Sequence, residues 1–325
     1  MISKKPFGVT KNGSPVFSYT LENEQISLTM LDYGATLQSL VLQKSSGKTD
    51  VVLGYDTIEE YERNDGYLGA SIGRFAGRIP DAILNIEGSL FPVTANEGCN
   101  QLHGGSTGFD KRIWNAETGA DFVTFSLISQ NNEEGFPGTL LCSITYMLKN
   151  NIVTLIFRGI SDRVTAWNPT NHAYWNLDGH DAGDTRLQQL EIPADFYIPV
   201  GSDMIPVNAE TDVSGTRFDF RKLREIGGEY DHSFVLSDGP IRLFGTKGIG
   251  MEITTDCKAV QFYNAKFLGD RIGKGGTHYG PFGAVCLETE GRQTQRGSSV
   301  YPENILEKNI EKTHITEFRF ITKED

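Results

Sequence analysis

No run in this 325-residue chain is apolar for long enough to cross a bilayer as a helix. Positive charge is also scarce: 30 Lys and Arg stand against 42 Asp and Glu, a formal net charge of −12. A surface of that sign argues against nucleic acid and anionic membranes, and suits a neutral or cationic small ligand. Cysteine is sparse, with only Cys99, Cys142, Cys257 and Cys286, far apart and without a C-x-x-C pair. That leaves no zinc knuckle and no thioredoxin-type motif. Cys142, Cys257 and Cys286 lie in or beside apolar strand-like runs, as buried free thiols do. Histidines never occur as H-x-x-H or H-x-x-x-H, so a metal could be held only by tertiary convergence, and none is expected. The Gly73–Pro80 run lacks the Gly-Lys-Ser/Thr pattern and a following helix, so it is not a phosphate loop. Met1-Ile2-Ser3-Lys4-Lys5-Pro6 is charged with no apolar stretch behind it. A cytoplasmic location is therefore the expectation.

Helical signals are thin as well: no long apolar stripe of period 3.6 appears, and no βαβ alternation. What is present is period-2 hydrophobicity. Phe17, Tyr19 and Leu21 alternate, then Ile26, Leu28 and Met30 across an Asn23-Glu24-Gln25 break. Leu40 and Leu42 continue the pattern to Val51-Val52-Leu53, with a turn at Ser45-Ser46-Gly47. Leu140, Cys142, Ile144, Tyr146 and Leu148 alternate strictly, and Lys149-Asn150-Asn151 turns the chain into Ile152–Phe157, a hairpin. The end repeats the theme with Ile315, Phe318 and Phe320. Thr57–Arg63 is the one short helical excursion, capped by Asp56 or Thr57. The 36 glycines fit many tight turns. The expected architecture is all-β, one large antiparallel β-sandwich domain over residues 1–325 with few short helices.

Five stretches break this strand grammar. In Thr170-Asn171-His172-Ala173-Tyr174-Trp175-Asn176-Leu177, alternation puts Thr170, His172, Tyr174 and Asn176 on one face. That face is polar throughout and carries an imidazole, so it meets solvent or lines a polar pocket. Gly73-Arg74-Phe75-Ala76-Gly77-Arg78 reads most plainly as a surface loop with two solvated cations. Its functional alternative has Gly77 admitting a ligand close to the backbone while Arg78 donates to hydroxyls. His103, followed by Gly104 and Gly105, has no neighbouring side chains to shield it. In Tyr230-Asp231-His232-Ser233-Phe234, Asp231 and Ser233 share a face, so Asp231 is the candidate acceptor and His232 is structural. In Ala284-Val285-Cys286-Leu287-Glu288-Thr289-Glu290, Val285 and Leu287 face one way; Ala284, Cys286 and Glu288 face the other. A carboxylate buried on that small-residue face has its pKa raised, as a useful base requires, and Glu290 on the same face raises it further.

Taken in order, these stretches resemble the aldose 1-epimerase (galactose mutarotase) family over nearly the whole chain. Asp50-Val51-Val52-Leu53-Gly54-Tyr55, Gly-Arg-Phe-Ala-Gly-Arg-Ile, Leu-His-Gly-Gly and Thr-Asn-His-Ala-Tyr-Trp-Asn-Leu carry the likeness, with Asp-His-Ser-Phe, Gln261-Phe262-Tyr263 and Cys-Leu-Glu-Thr. The resemblance implies a large antiparallel β-sandwich, a free monosaccharide of the galactose or glucose class as the small-molecule partner, and no cofactor. It implies His172 as general acid, Glu288 as general base and His103 beside them, catalytic or orienting. Arg78, His103, Asp231 and Gln261 fall on substrate-binding positions. This chain departs from the family pattern at Gly77, where many members have Asn, at Glu290, where Gln is usual, and in Gly291–Gly297.

Anomerisation removes the C1 hydroxyl proton and protonates the ring oxygen. The chemistry asks for one base and one acid, placed on opposite sides of the pyranose, with a His near its ordinary pKa as reversible donor. A glycoside hydrolase using Glu288 with Asp231 leaves His172 without a task. A non-catalytic carbohydrate-binding sandwich remains a rival, as does a hexose-6-phosphate mutarotase, for which Arg292 and Arg296 are the available cations. The preferred aldose and the oligomeric state stay open.

Overall fold

Alternating apolar residues become antiparallel strands through most of the chain, of which the computed structural model describes residues 2–45, 47–63, 66–207 and 210–322. An N-terminal meander pairs Ile2–Val9, Pro15–Glu22, Ile26–Leu31, Thr36–Lys44 and Gly47–Asp50 in sequence order. Asn23 Oδ1 accepts from the N–H groups of Gln25 and Ile26, which makes the expected break an Asx turn. The turn expected at Ser45–Gly47 includes Ser46, which lies outside the described residues. Val51–Leu53 is not a strand continuation; only Val52 bridges, to Trp175.

The Leu140–Lys149 and Ile152–Ser161 hairpin forms as read, with Lys149 opposite Ile152. It sits inside a nine-stranded sheet that runs from Asn115–Thr118 through this hairpin and Lys312–Thr322 to Arg224–Glu225. Ile315 is 39% exposed on its outer face, while Phe318 and Phe320 are buried. The helix spans Ile58–Arg63, and Glu60 accepts from both the backbone N–H and the hydroxyl of Thr57, so Thr57 is the cap. All four cysteines are free, Cys99 exposed and the other three buried. Among the described residues no helix is long and apolar enough to cross a membrane.

A second five-stranded sheet, Thr211–Asp212, Phe196–Ile198, Asp231–Val235, Ala259–Tyr263 and Cys286–Glu290, positions the site. Its strands present Phe234, Val260, Phe262, Val285 and Leu287 to one side. These pack in a single cluster with Tyr146, Leu155, Leu243, Met251 and Phe320 of the nine-stranded sheet. This is sheet-on-sheet packing with alternate residues inward, the expected sandwich. The opposite side of the same strands carries Asp231, Ser233, Gln261, Glu288 and Glu290, all lining one cavity.

Candidate active site

Cys286–Glu290 is the last strand of its sheet, yet every residue in it is buried. Its outer side is covered by the segment that carries His172. Trp175 and Val285 exchange both backbone hydrogen bonds at 2.8 Å, and Thr170 Oγ1 donates to the Thr289 carbonyl at 3.0 Å. Counting three residues from the antiparallel Trp175–Val285 pair sets His172 opposite Glu288. Only Thr170–Asn171 of this segment is a formal strand, and the whole of residues 170–177 is buried rather than half-exposed. Thr170 and Asn176 on the expected polar face serve the scaffold; Asn176 Nδ2 donates to the carbonyls of Gly183 and Gly283. His172 and Tyr174 line the cavity.

All six residues proposed from the sequence, Arg78, His103, His172, Asp231, Gln261 and Glu288, line this one cavity of about 440 Å³. That is an ordinary volume for a small-molecule site. His172 Nε2 lies 3.7 Å from Glu288 Oε1. The two groups stand side by side, not on opposite walls. The His172 ring stacks on Tyr174 with centroids 5.0 Å apart, and Tyr67 covers it from 5.9 Å. Its backbone N–H donates to Ala70 and its carbonyl accepts from Gly69.

Burial pushes His172 down to about 4, which corrects the expectation of an ordinary imidazole. Nδ1 has no hydrogen-bond partner among the described residues. Protonating it would bury an unpaired N–H as well as a charge. Burial raises Glu288 well above the usual carboxylate range, and the neighbouring Glu290 and Asp231 add to the rise. Burial likewise lifts Asp231, against the opposing pull of Gln261 and Arg78. One cavity wall thus gathers three carboxyl groups that resist ionisation.

His103 follows the short pairing of Gln101–Leu102 with Arg78–Ile79, which brings it to Gly77. Its N–H donates to the Gly77 carbonyl at 3.0 Å, and its Nδ1 accepts from the Gly77 N–H at 3.2 Å. The second bond puts the imidazole proton on Nε2. Burial first, then His172 and Arg78, hold His103 well below its ordinary pKa, so it is a neutral N–H donor. Ligand atoms of His103, His172 and Glu288 lie within 4.8 Å of one another, the tertiary convergence a metal would require. Ligation through His103 Nε2 would force Nδ1 to carry the proton against the Gly77 N–H, so the tautomer does not fit a metal there.

Arg78 is oriented by Glu97, which the sequence reading missed: Nε and Nη2 each donate to it at 2.6 Å. Gln261 Nε2 donates to Asp231 Oδ1 at 2.7 Å. His232 packs against Phe218 and is structural, as read. One expectation for the Gly73–Arg78 run needs correction. Arg74 is 2% exposed and donates to Ser129, Gln130 and Pro137, so it is a buried scaffold cation. Gly77 lines the cavity and also makes room for a protein side chain, since a Cβ there would sit 2.1 Å from Gln293 Nε2. Tyr67 and Gln293 were also missed as lining residues; no local pattern marks either. Arg292 donates to Glu210 and Glu303, and Arg296 to Asp81 and Asp203. Neither lines the cavity, which removes the cations a phosphate reading relied on.

The fold and site define a β-sandwich protein with a pyranose-scale acid/base cavity opened on one face of a sheet. A family model described as aldose 1-epimerase matches residues 18–319. Galactose mutarotase of Mus musculus is 33% identical over 336 aligned positions, covering 98% of each chain. Aldose 1-epimerase of Haemophilus influenzae is 37% identical over 299, covering 86% of this chain and 87% of that one. The crystal structure of a GalM/aldose epimerase homologue from C. elegans superposes with a TM-score of 0.87 at 29% identity, covering 93% of this chain and 98% of that one. The chain belongs to the aldose 1-epimerase family.

Proposed function

We propose that this chain is an aldose 1-epimerase that interconverts the α and β anomers of a free aldohexose of the galactose or glucose class. The observation that carries the chemistry is the 3.7 Å spacing of His172 Nε2 and Glu288 Oε1. Two groups that close do not bracket a ring. They suit two oxygens bonded to the same carbon, the C1 hydroxyl and the ring oxygen.

His172 and Glu288 together hold one proton. With it on His172, Glu288 takes the C1 hydroxyl proton while His172 donates to the ring oxygen. The C1–O5 bond breaks, C1 becomes an aldehyde, and the pair is left with neutral His172 and protonated Glu288. Burial favours this uncharged pair, and so favours the protonation state that accompanies the open chain. Rotation about C1–C2 presents the other aldehyde face to the C5 hydroxyl. As O5 attacks C1, His172 takes its proton and Glu288 returns one to the carbonyl oxygen. His103 Nε2–H donates to the oxygen where negative charge develops, a neutral donor that needs no reorganisation. Arg78, Asp231 and Gln261 hold the outer hydroxyls, so that only the C1–C2 end turns.

Polarimetry of mutarotation tests this. His172→Ala and Glu288→Gln each lower the catalysed rate by about 10²- to 10⁴-fold. Near-wild-type rates in both variants would remove the reading. Glucose is turned over better than glucose 6-phosphate, since Arg292 and Arg296 are already ion-paired.

A further inference from the structure

Gln293 belongs to neither the acid/base pair nor the residues read from motifs, yet its side chain enters the cavity. It is 9% exposed and lines the cavity wall beside Glu288 and Glu290. Nε2 donates to Glu290 Oε1 at 2.5 Å. On its other side the amide presses against Gly77, where an added Cβ would lie 2.1 Å from Nε2 and 2.2 Å from Oε1. Gly77 is the residue whose backbone pins His103. The amide is therefore wedged between the two walls that carry Glu288 and His103.

The backbone around Gln293 is held in place. Gly291 N–H donates to Asn168 Oδ1 at 2.7 Å, and the Arg292 carbonyl accepts from Asn304 at 2.9 Å. Arg292 and Arg296 then tie the segment to Glu303, Glu210, Asp203 and Asp81. One N–H of the amide is committed to Glu290; its carbonyl and second N–H bond to no described residue. Glu290 lies two residues from Glu288 on the same face, about 7 Å along the strand. That displacement carries the amide past the anomeric position to the next part of a bound ring. A hydroxyl both donates and accepts, and matches the two remaining functions of the amide.

We propose that Gln293 is a substrate-positioning residue whose amide, wedged between Gly77 and Glu290, hydrogen-bonds a ring hydroxyl beyond the anomeric one and helps set aldose preference. The proposal rests on the epimerase reading for its substrate.

The test is kinetics on glucose, galactose and a series of monodeoxy glucoses, with calorimetric titration of the same sugars as a readout independent of turnover. Gln293→Ala raises KM and Kd for the parent sugar about tenfold and leaves kcat within about twofold. One monodeoxy sugar binds the wild type about tenfold more weakly than its parent and shows no further loss in Gln293→Ala. Gly77→Asn alone clashes with the amide and weakens binding. Gly77→Asn/Gln293→Ala supplies an amide from the other wall and recovers part of the affinity. Equal losses for every deoxy sugar in Gln293→Ala, or an unchanged KM and Kd, would overturn the proposal. Gln293→Asn keeps the polar group if the alanine variant does not fold, and shows the same selective loss. Sugar binding without acceleration by the wild type sinks the epimerase reading and leaves Gln293 judged on Kd. Wild-type turnover with no Gln293 effect sinks this proposal alone.

Discussion

The two sides of the Asp231–Val235, Ala259–Tyr263 and Cys286–Glu290 strands share one backbone and do opposite things. One side carries Phe234, Val260, Phe262, Val285 and Leu287, all packed into the main core. The other carries Asp231, Glu288 and Glu290 into a cavity, where burial raises all three carboxyl pKa values. Burying the first set stabilises the fold, at roughly 25 cal/mol per Å² of apolar area. Burying the second set opposes it, because the charged forms lose hydration that no cation among their bonded partners restores. The site is tolerable because its strands are anchored from behind. A reactive carboxyl group is affordable where the opposite face of the same strand is fully packed.

The sharpest way to break this comparison is to neutralise the cavity side. Glu288→Gln lowers catalysed mutarotation by about 10³-fold, equivalent to about 4 kcal/mol of barrier, while its Tm rises above that of wild type at neutral and alkaline pH. A fall in both rate and Tm would mean Glu288 is a structural group. Truncating the packed side gives the reverse pattern. Leu287→Ala, on the neighbouring position of the same strand, costs about 3 kcal/mol by denaturant titration and leaves kcat at low temperature within about threefold. Comparable damage to kcat would show that the two sides are not separable.

Glu290→Gln probes the cavity side through pH. Burial raises Glu290 to about 8, against the lowering pull of its bonds to Gln293 and Asn168. Between its unfolded value near 4.5 and 8 the folded state holds the extra proton, so stability falls as pH rises through that window. Glu290→Gln removes that slope, raising stability at pH 8–9 by up to about 4 kcal/mol and changing little near pH 4.5. Because neutral Glu290 already resembles an amide at pH 7, turnover changes little in this variant. The smallest effect expected is in the wild-type pH–rate profile. His172 gains a second proton for the pair only near pH 4, and Glu288 loses the shared one only well above the usual carboxylate range. The rate should therefore vary less than about twofold between pH 5 and 7, without the inflection near 6.5 of an ordinary histidine. An inflection there would place His172 in contact with water or an ionised Glu288.

How much was legible follows from how far each signal reaches along the chain. Alternation placed Asp231 with Ser233, and Glu288 away from Leu287, because side-chain direction in a strand repeats every two residues. The Thr57 cap and the Lys149–Ile152 turn were legible for the same local reason. Arg74 was misjudged because its acceptors come from residues 129–137, on a distant loop. His172 and Glu288, expected to face each other across a ring, instead stand side by side. That spacing comes from a strand pairing between residues 175 and 285. Gln293 was passed over because nothing beside it in the chain marks it; only its meeting with Gly77 does.

By itself the amino-acid order determined which residues are strand-like and which side of each strand is polar. Those properties depend on neighbours one to four residues away. Only the tertiary structure decided that His172 covers the open edge of the Glu288 strand, that Gly77 sets the tautomer of His103, and that burial raises the carboxyl pKa values of Asp231, Glu288 and Glu290. Each of these depends on long-range pairing and on exclusion of water, and both arise only when the sheets close on one another.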